Sequence, residues 1–173
     1  VPSCSKWPRT PPSHPNKMSK RTRIMQTALD FLRQHNEVTF ATCEANRPKL
    51  RIFQIMRQDD TTLYFATAPQ KDVYRQLQTN PHVEILAMAD RVSVRCAGEV
   101  DFHVDDALRR WIYDHNPVLP RLYSSYDKLA YFALPIAEMD YYDLRPTPPI
   151  FRHFNLREGT EGTGFVGERF SNK

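Results

Sequence analysis

Arg51 and Lys71 are the residues best placed to do chemistry. Arg51 lies in the run Leu50-Arg51-Ile52-Phe53-Gln54-Ile55-Met56, where strand alternation puts Leu50, Ile52, Gln54 and Met56 on one face and Arg51, Phe53 and Ile55 on the other. An arginine among apolar neighbours needs an anion. A second run, Leu63-Tyr64-Phe65-Ala66, passes into Thr67-Ala68-Pro69-Gln70, and Lys71 then opens a helical pattern with Val73 and Leu77 four residues apart. A strand, a small-residue turn and a helix start aim several backbone N–H groups and the positive helix end at one point, beside the Thr67 hydroxyl and the lysine. With Arg51 as a bidentate clamp, the combination suits a phosphate monoester. The competing reading gives the same two cations a solvated face or a structural ion pair.

Other chemistries find less support. His35, His82, His103, His115 and His153 show neither HxxxH nor HxH spacing, so no metal site is expected. No acid–base pair stands out, and catalytic residues stay unassigned. Cys4, Cys43 and Cys96 form an odd set without CxxC spacing, which suits buried thiols in a reducing cytoplasm.

The elements that must position Arg51 and Lys71 read as follows. Residues 1–17 hold five prolines among Ser, Thr and Lys, a composition that cannot bury enough apolar surface to order, so a disordered tail is expected there. A helix is expected over residues 19–34, with Ile24, Met25, Ala28, Leu29 and Leu32 as its apolar stripe, packed on the end of a barrel. Strands follow at 38–43, 50–57 and 62–66, the three forming a meander. After a helix over 71–78, stopped by Asn80-Pro81, strands are expected at 83–88 and 92–103, the latter carrying Gly98 at a bulge or bend. Asp105-Asp106 caps a helix over 107–115 with Leu108, Trp111 and Ile112 inward, and two last main strands fall at 131–134 and 139–144, with a short segment at 150–154. Strands at hairpin spacing with interspersed helices predict a mainly β (α+β) domain over 18–156, an antiparallel barrel with peripheral helices, and a tail over 157–173.

The charge is uneven. Residues 1–36 hold seven Lys/Arg and one Asp, leaving 17 basic and 19 acidic residues for 37–173, so the globular part is not basic and nucleic acid is not the expected partner. No apolar run approaches the ~20 residues that span a bilayer, so no membrane partner is expected either.

The order of an Arg-bearing strand, the Phe65-Ala66-Thr67 turn, the Lys71-Asp72-Val73-Tyr74-Arg75-Gln76-Leu77 helix, Asn80-Pro81 and a strand entering Gly98-Glu99 resembles the pyridoxamine 5′-phosphate oxidase-like family of FMN-binding split β-barrels. The resemblance runs from about Met25 to Phe154. It implies FMN at a homodimer interface, its phosphate on Arg51, Thr67 and Lys71, its ring edge along Ile52, Phe53 and Gln54, and Ala66 beside the ribityl chain. It also implies a flavin-dependent oxidoreductase acting on a small-molecule substrate, with NAD(P)H as a donor. A flavin-holding sensor or stress protein, and a split barrel carrying deazaflavin or haem, are the alternatives. Vitamin B6 oxidation itself is not expected, because the turn reads Pro69-Gln70-Lys71 rather than Ser-Arg-Lys, and Ser93 stands where a flavin-contacting glutamine belongs. The resemblance to short general stress and nitroimidazole-resistance-like members is closer. Trp111, Tyr123 and Tyr126 either line a substrate pocket across the dimer or, in the favoured reading for Trp111, fill the core.

Overall fold

A computed structural model describes residues 20–170. The expected tail at 1–17, with Cys4, lies outside the described residues. Helix α1 (Lys20–Gln34) buries Ala28, Leu29 and Leu32 completely and closes one end of the core. Strand β1 (Glu37–Glu44) turns Val38, Phe40 and Thr42 inward, the period of two expected for a sheet with one buried face. Ala45 and Asn46, both at positive φ, make a two-residue hairpin into β2 (Arg47–Gln54), whose twist matches that of the strands it joins.

The expected meander is not formed, and the expected strand over 50–57 is two strands. Ile55 N donates to Asn36 O beside β1 at 2.7 Å, whereas Met56 N donates to Tyr64 O at 2.9 Å. Between those adjacent residues the chain passes from one edge of the sheet to the other, into β3 (Arg57–Asp59), which pairs with β4 (Thr62–Thr67). Helix α2 (Asp72–Thr79) follows, ended at Asn80, and then β5 (His82–Ala89) and β6 (Val92–Glu99), joined by Asp90 and Arg91 at positive φ.

Helix α3 (Asp106–His115) starts at Asp105, whose carboxylate accepts Leu108 N at 2.8 Å. The single turn α4 (Leu119–Leu122) leads to β7 (Ala130–Asp143), then β8 (Ile150–Asn155) and β9 (Thr160–Gly162). The two expected last strands are therefore one. Residues 130–135 of β7 pair with β4 and the remainder with β6, so Pro135, which has no N–H to give, falls where the ladder changes partner. The strand expected over 92–103 stops at Glu99, with only Asp101 bridging back to Ala133. β9 lies within the segment expected as a tail and pairs with β8.

The strand order β2-β1-β5-β6-β7-β4-β3 begins and ends on strands joined by two residues, so the antiparallel sheet closes on itself and splits between β2 and β4. Inside sit the rings of Phe40, Phe53, Phe65 and Phe132, with centroids 4.8 to 6.0 Å apart. A second cluster, Ala66, Ile112, Leu119, Leu129 and Tyr131, packs α3 and α4 against the outer side of β4 and β7. Trp111 is not in either core. It is 37% exposed, stacked on His115 and covered by Arg57. Among the described residues no helix is long and apolar enough to cross a membrane.

Gly98 sits at the expected bulge, where the β6–β7 register shifts. A Cβ there would lie 2.5 Å from Pro135 O, a backbone atom in the neighbouring strand. Gly98→Ala is expected to destabilise the fold by about 1–3 kcal/mol in urea denaturation, the usual cost of overpacking. A midpoint equal to the parent's would show that the bulge has room for a side chain.

Candidate functional site

The split leaves a cleft of about 560 Å³ between β2 on one wall, the end of β4 on the other, the start of α2 at one end and α4 at the opposite end. Arg51, Ile52, Phe53, Gln54, Ala66, Thr67 and Lys71 all line it. β2 pairs only with β1 within the ladder, so one row of its backbone N–H and C=O groups is left without a strand partner at this edge.

Arg51 extends from β2 towards the inner face of β1 and is half-buried. Its Nη1 donates to Thr42 Oγ1 at 2.7 Å and Phe40 O at 3.5 Å, and its Nη2 donates to Gln76 Oε1 at 2.8 Å. Every one of those acceptors is neutral. No carboxylate among the described residues pairs with Arg51, and burial pushes its pKa down from the usual guanidinium value. Gln76 is oriented from behind: its Nε2 donates to Glu44 at 3.4 Å, which leaves its oxygen for Arg51 and for the Thr42 hydroxyl at 2.7 Å. The Glu44 charge is taken up by Arg75 at 2.7 Å and, more loosely, by Lys49 at 3.9 Å.

Across the cleft, Thr67 is 3% exposed and its hydroxyl has no hydrogen-bond partner. Buried polar atoms are nearly always paired, so an orphan lining the same cleft as a cation held only by neutral oxygens fits a site built for a polar ligand. Lys71 occupies the position just before α2 and forms no ion pair among the described residues. Asp72 and Val73, the first two residues of α2, whose N–H groups have no acceptor inside the helix, line the same end of the cleft. Two carboxylates line this end and work against an anion there, Glu44 and the exposed Asp72, and Arg75 lies 2.7 Å from the first and 3.3 Å from the second. The opposite end is apolar: Met56, Leu119, Leu122 and Leu129, with Tyr123.

Several residues fall elsewhere. Ser93 lies on the outer face of the sheet opposite Met88 and Tyr142, away from the cleft. Of the three aromatics expected at a substrate pocket only Tyr123 lines the cleft; Tyr126 donates to Asp106 at 2.9 Å, and Trp111 packs beside Arg57. Thr42, Gln76 and Asn116, which hold the site's side chains in place, were not expected. The signal for two of them is in the sequence: Gln76 sits on the buried stripe of α2 with Val73 and Leu77, and Thr42 follows Val38 and Phe40 on the inward face of β1.

An antiparallel barrel closed at a seam, with its cleft in that seam, is a split β-barrel. Residues 24–124, more than half of the chain, match the family described as pyridoxamine 5′-phosphate oxidase, and the chain belongs to that family. No curated protein matches the sequence. Among solved structures, a NimC/NimA family protein from Clostridium acetobutylicum is 25% identical, with a TM-score of 0.62 over 73% of this chain and 91% of that one. A protein from the same organism related to general stress protein 26 is 12% identical, with a TM-score of 0.66 over 80% of this chain and 98% of its own. A pyridoxamine 5′-phosphate oxidase-related, FMN binding protein from Nostoc punctiforme is 17% identical, with a TM-score of 0.58 over 87% and 98%. The last two likenesses speak to the fold alone.

The orphan hydroxyl gives a test that needs no ligand. Thr67→Val keeps the shape and removes the unpaired group, so it is expected to stabilise the ligand-free protein by about 1 kcal/mol in thermal or urea unfolding. Destabilisation by a similar amount would mean that the hydroxyl has a partner in the free protein.

Proposed function

We propose that the protein binds FMN as a homodimer and works as a flavin-dependent oxidoreductase on a small molecule, with NAD(P)H or a similar donor. The observation that carries the FMN reading is the Arg51 guanidinium, held on neutral oxygens and sharing its cleft with a buried hydroxyl that has no partner. Arg51, Thr67 and Lys71 would hold the phosphate, Ile52, Phe53 and Gln54 the edge of the ring system, and Ala66 the chain between them. The similarly folded Nostoc punctiforme protein is an FMN binding protein, so the fold accommodates that group. Bound flavin supplies the electron-transfer chemistry, so the protein's own task is to orient a substrate and exclude water, and the absence of an obvious acid–base pair is compatible with an enzyme.

The remaining cleft residues bear on what else could bind. Beyond Arg51 and Lys71 the lining holds one more cation, Lys49, which faces Glu44. Among the described residues the cleft lining offers no further cluster of cations to a second phosphate, as on vitamin B6 substrates. The lining contains no histidine or cysteine, so a haem would find only Met56 and Tyr123 there as protein ligands for its iron. A phosphate-bearing deazaflavin fits the same cations. A store or sensor that holds flavin without turnover is separated from an enzyme by anaerobic mixing with NADH or NADPH, which reduces the flavin only in the enzyme.

The outer face of the sheet supports the dimer reading. Leu50, Ile52 and Met88 are 69%, 67% and 73% exposed, and Leu86 is 40% exposed. Ile52, Thr39 and Leu86 stand in register across three strands, so these side chains form one patch rather than scattered exposures. Arg95 and Glu84, paired at 3.0 Å, border it. A second copy of the chain would cover this face. Among the described residues Cys43 and Cys96 are free thiols, which suits a reducing compartment such as the cytoplasm.

Purified protein mixed with FMN and desalted is expected to keep absorbance bands near roughly 370 and 450 nm. Arg51→Met should weaken FMN by about 2–3 kcal/mol, roughly a hundredfold, because charge-assisted bonds to the phosphate are lost. Unchanged affinity in that variant would remove Arg51 from the site. Leu86→Asp combined with Met88→Asp, neither of which lines the cleft, should convert a dimer to a monomer in light-scattering chromatography; a monomeric parent would refute the dimer.

A further inference from the structure

Gln54 is the one amide side chain on β2, and a residue distant in sequence fixes which of its two polar atoms faces the cleft. Asn116 lies just after α3 and is 6% exposed. Its Oδ1 accepts Val118 N at 3.0 Å and Leu119 N at 3.4 Å, so both lone pairs of that oxygen are committed to the turn that starts α4. The atom of Asn116 turned to Gln54 is therefore Nδ2, a pure donor, and it lies 3.1 Å from Gln54 Oε1. A donor there forces the Gln54 oxygen to face Asn116. The Gln54 NH2 group is left on the other branch of the amide, and no acceptor among the described residues takes it up.

We infer that Asn116 is a positioning residue that holds Gln54 as a donor-only group in the cleft, so that the ligand atom meeting Gln54 must be an acceptor: a carbonyl oxygen or an unprotonated ring nitrogen. Identifying that ligand as FMN rests on the function proposed above; the orientation of the amide does not. The same two backbone bonds of Asn116 set the start of α4, which carries Leu119 and Leu122 to the apolar end of the cleft. One buried side chain thus ties the polarity of the ring edge to the position of the wall beyond it.

Asn116→Asp separates these roles. The carboxylate still accepts Val118 N and Leu119 N, keeping the α4 turn, but has no proton to give, so the Gln54 amide turns over and presents its oxygen to the cleft. In the ligand-free protein, hydrogen exchange of the side-chain amides by NMR should show the parent's Asn116 NH2 protected and its Gln54 NH2 exchanging with solvent. In Asn116→Asp the Gln54 NH2 should become protected. A protected Gln54 NH2 in the parent overturns the inference, and that reading stands even if the variant does not fold. In FMN titrations Asn116→Asp should weaken binding about tenfold, and in a Gln54→Leu background the same change should cost less than twofold. A full tenfold loss in that background would mean that Asn116 acts through α4 or through its charge, which overturns the inference while leaving the FMN site intact. A parent protein that rejects FMN removes the proposed function, and the exchange measurement still decides the amide.

Discussion

The arrangement on which the rest of the site depends is a guanidinium held by neutral oxygens. Arg51 is partly desolvated and lies against Thr42 and Gln76 rather than against a carboxylate. Removing a cation from water without a counter-charge costs free energy, and no carboxylate among the described residues pairs with this one. Such a group is tolerated where a ligand later supplies the anion. The nearby carboxylate of Glu44 is kept off the guanidinium by Gln76, which takes that charge on its amide nitrogen and passes only its oxygen forward. Arg75 neutralises Glu44 from the solvent side, so Arg51 keeps its charge available to the cleft.

Barrel closure brings these residues together. Arg51 comes from β2, Thr42 from β1 and Gln76 from α2, while Thr67 ends β4 at the opposite edge of the strand path. They meet because the chain changes partner between Ile55 and Met56, pinning β2 to β1 and β3 to β4 within two residues. Just before that hand-over β2 and β4 diverge, and the gap is the cleft. β4 is buried on both sides, with Leu63 and Phe65 in the main core and Ala66 in the second cluster, so the wall carrying Thr67 is held rigidly. A rigid wall can hold an unpaired hydroxyl at a fixed point, where a mobile one would let it find a partner.

Much of this was legible locally. The alternation in β1, the stop at Asn80-Pro81, the cap at Asp105 and the bulge at Gly98 are each decided by a few neighbouring residues, and the sequence carries them plainly. The gathering of Arg51, Thr67 and Lys71 came from the strand-turn-helix pattern together with the family resemblance. What was not legible depends on partners far along the chain. Residues 50–57 look like one strand because nothing local marks the change from β1 to β4, and residues 130–143 look like two because Pro135 resembles a break when it is only a change of ladder. Trp111 reads as core by helical spacing, yet α3 presents that face to Arg57 and solvent. Thr42, Gln76 and Asn116 escaped for a related reason: a buried polar residue signals that it has partners without saying which.

The central claim is that the cationic end of the cleft recognises a phosphate, and comparing FMN with riboflavin, which differ only in that group, tests it most directly. Calorimetric titration of the purified protein with each is predicted to show FMN binding at least about a hundredfold more tightly, the advantage shrinking as salt is raised. Equal affinities, or tighter binding of riboflavin, would contradict the account.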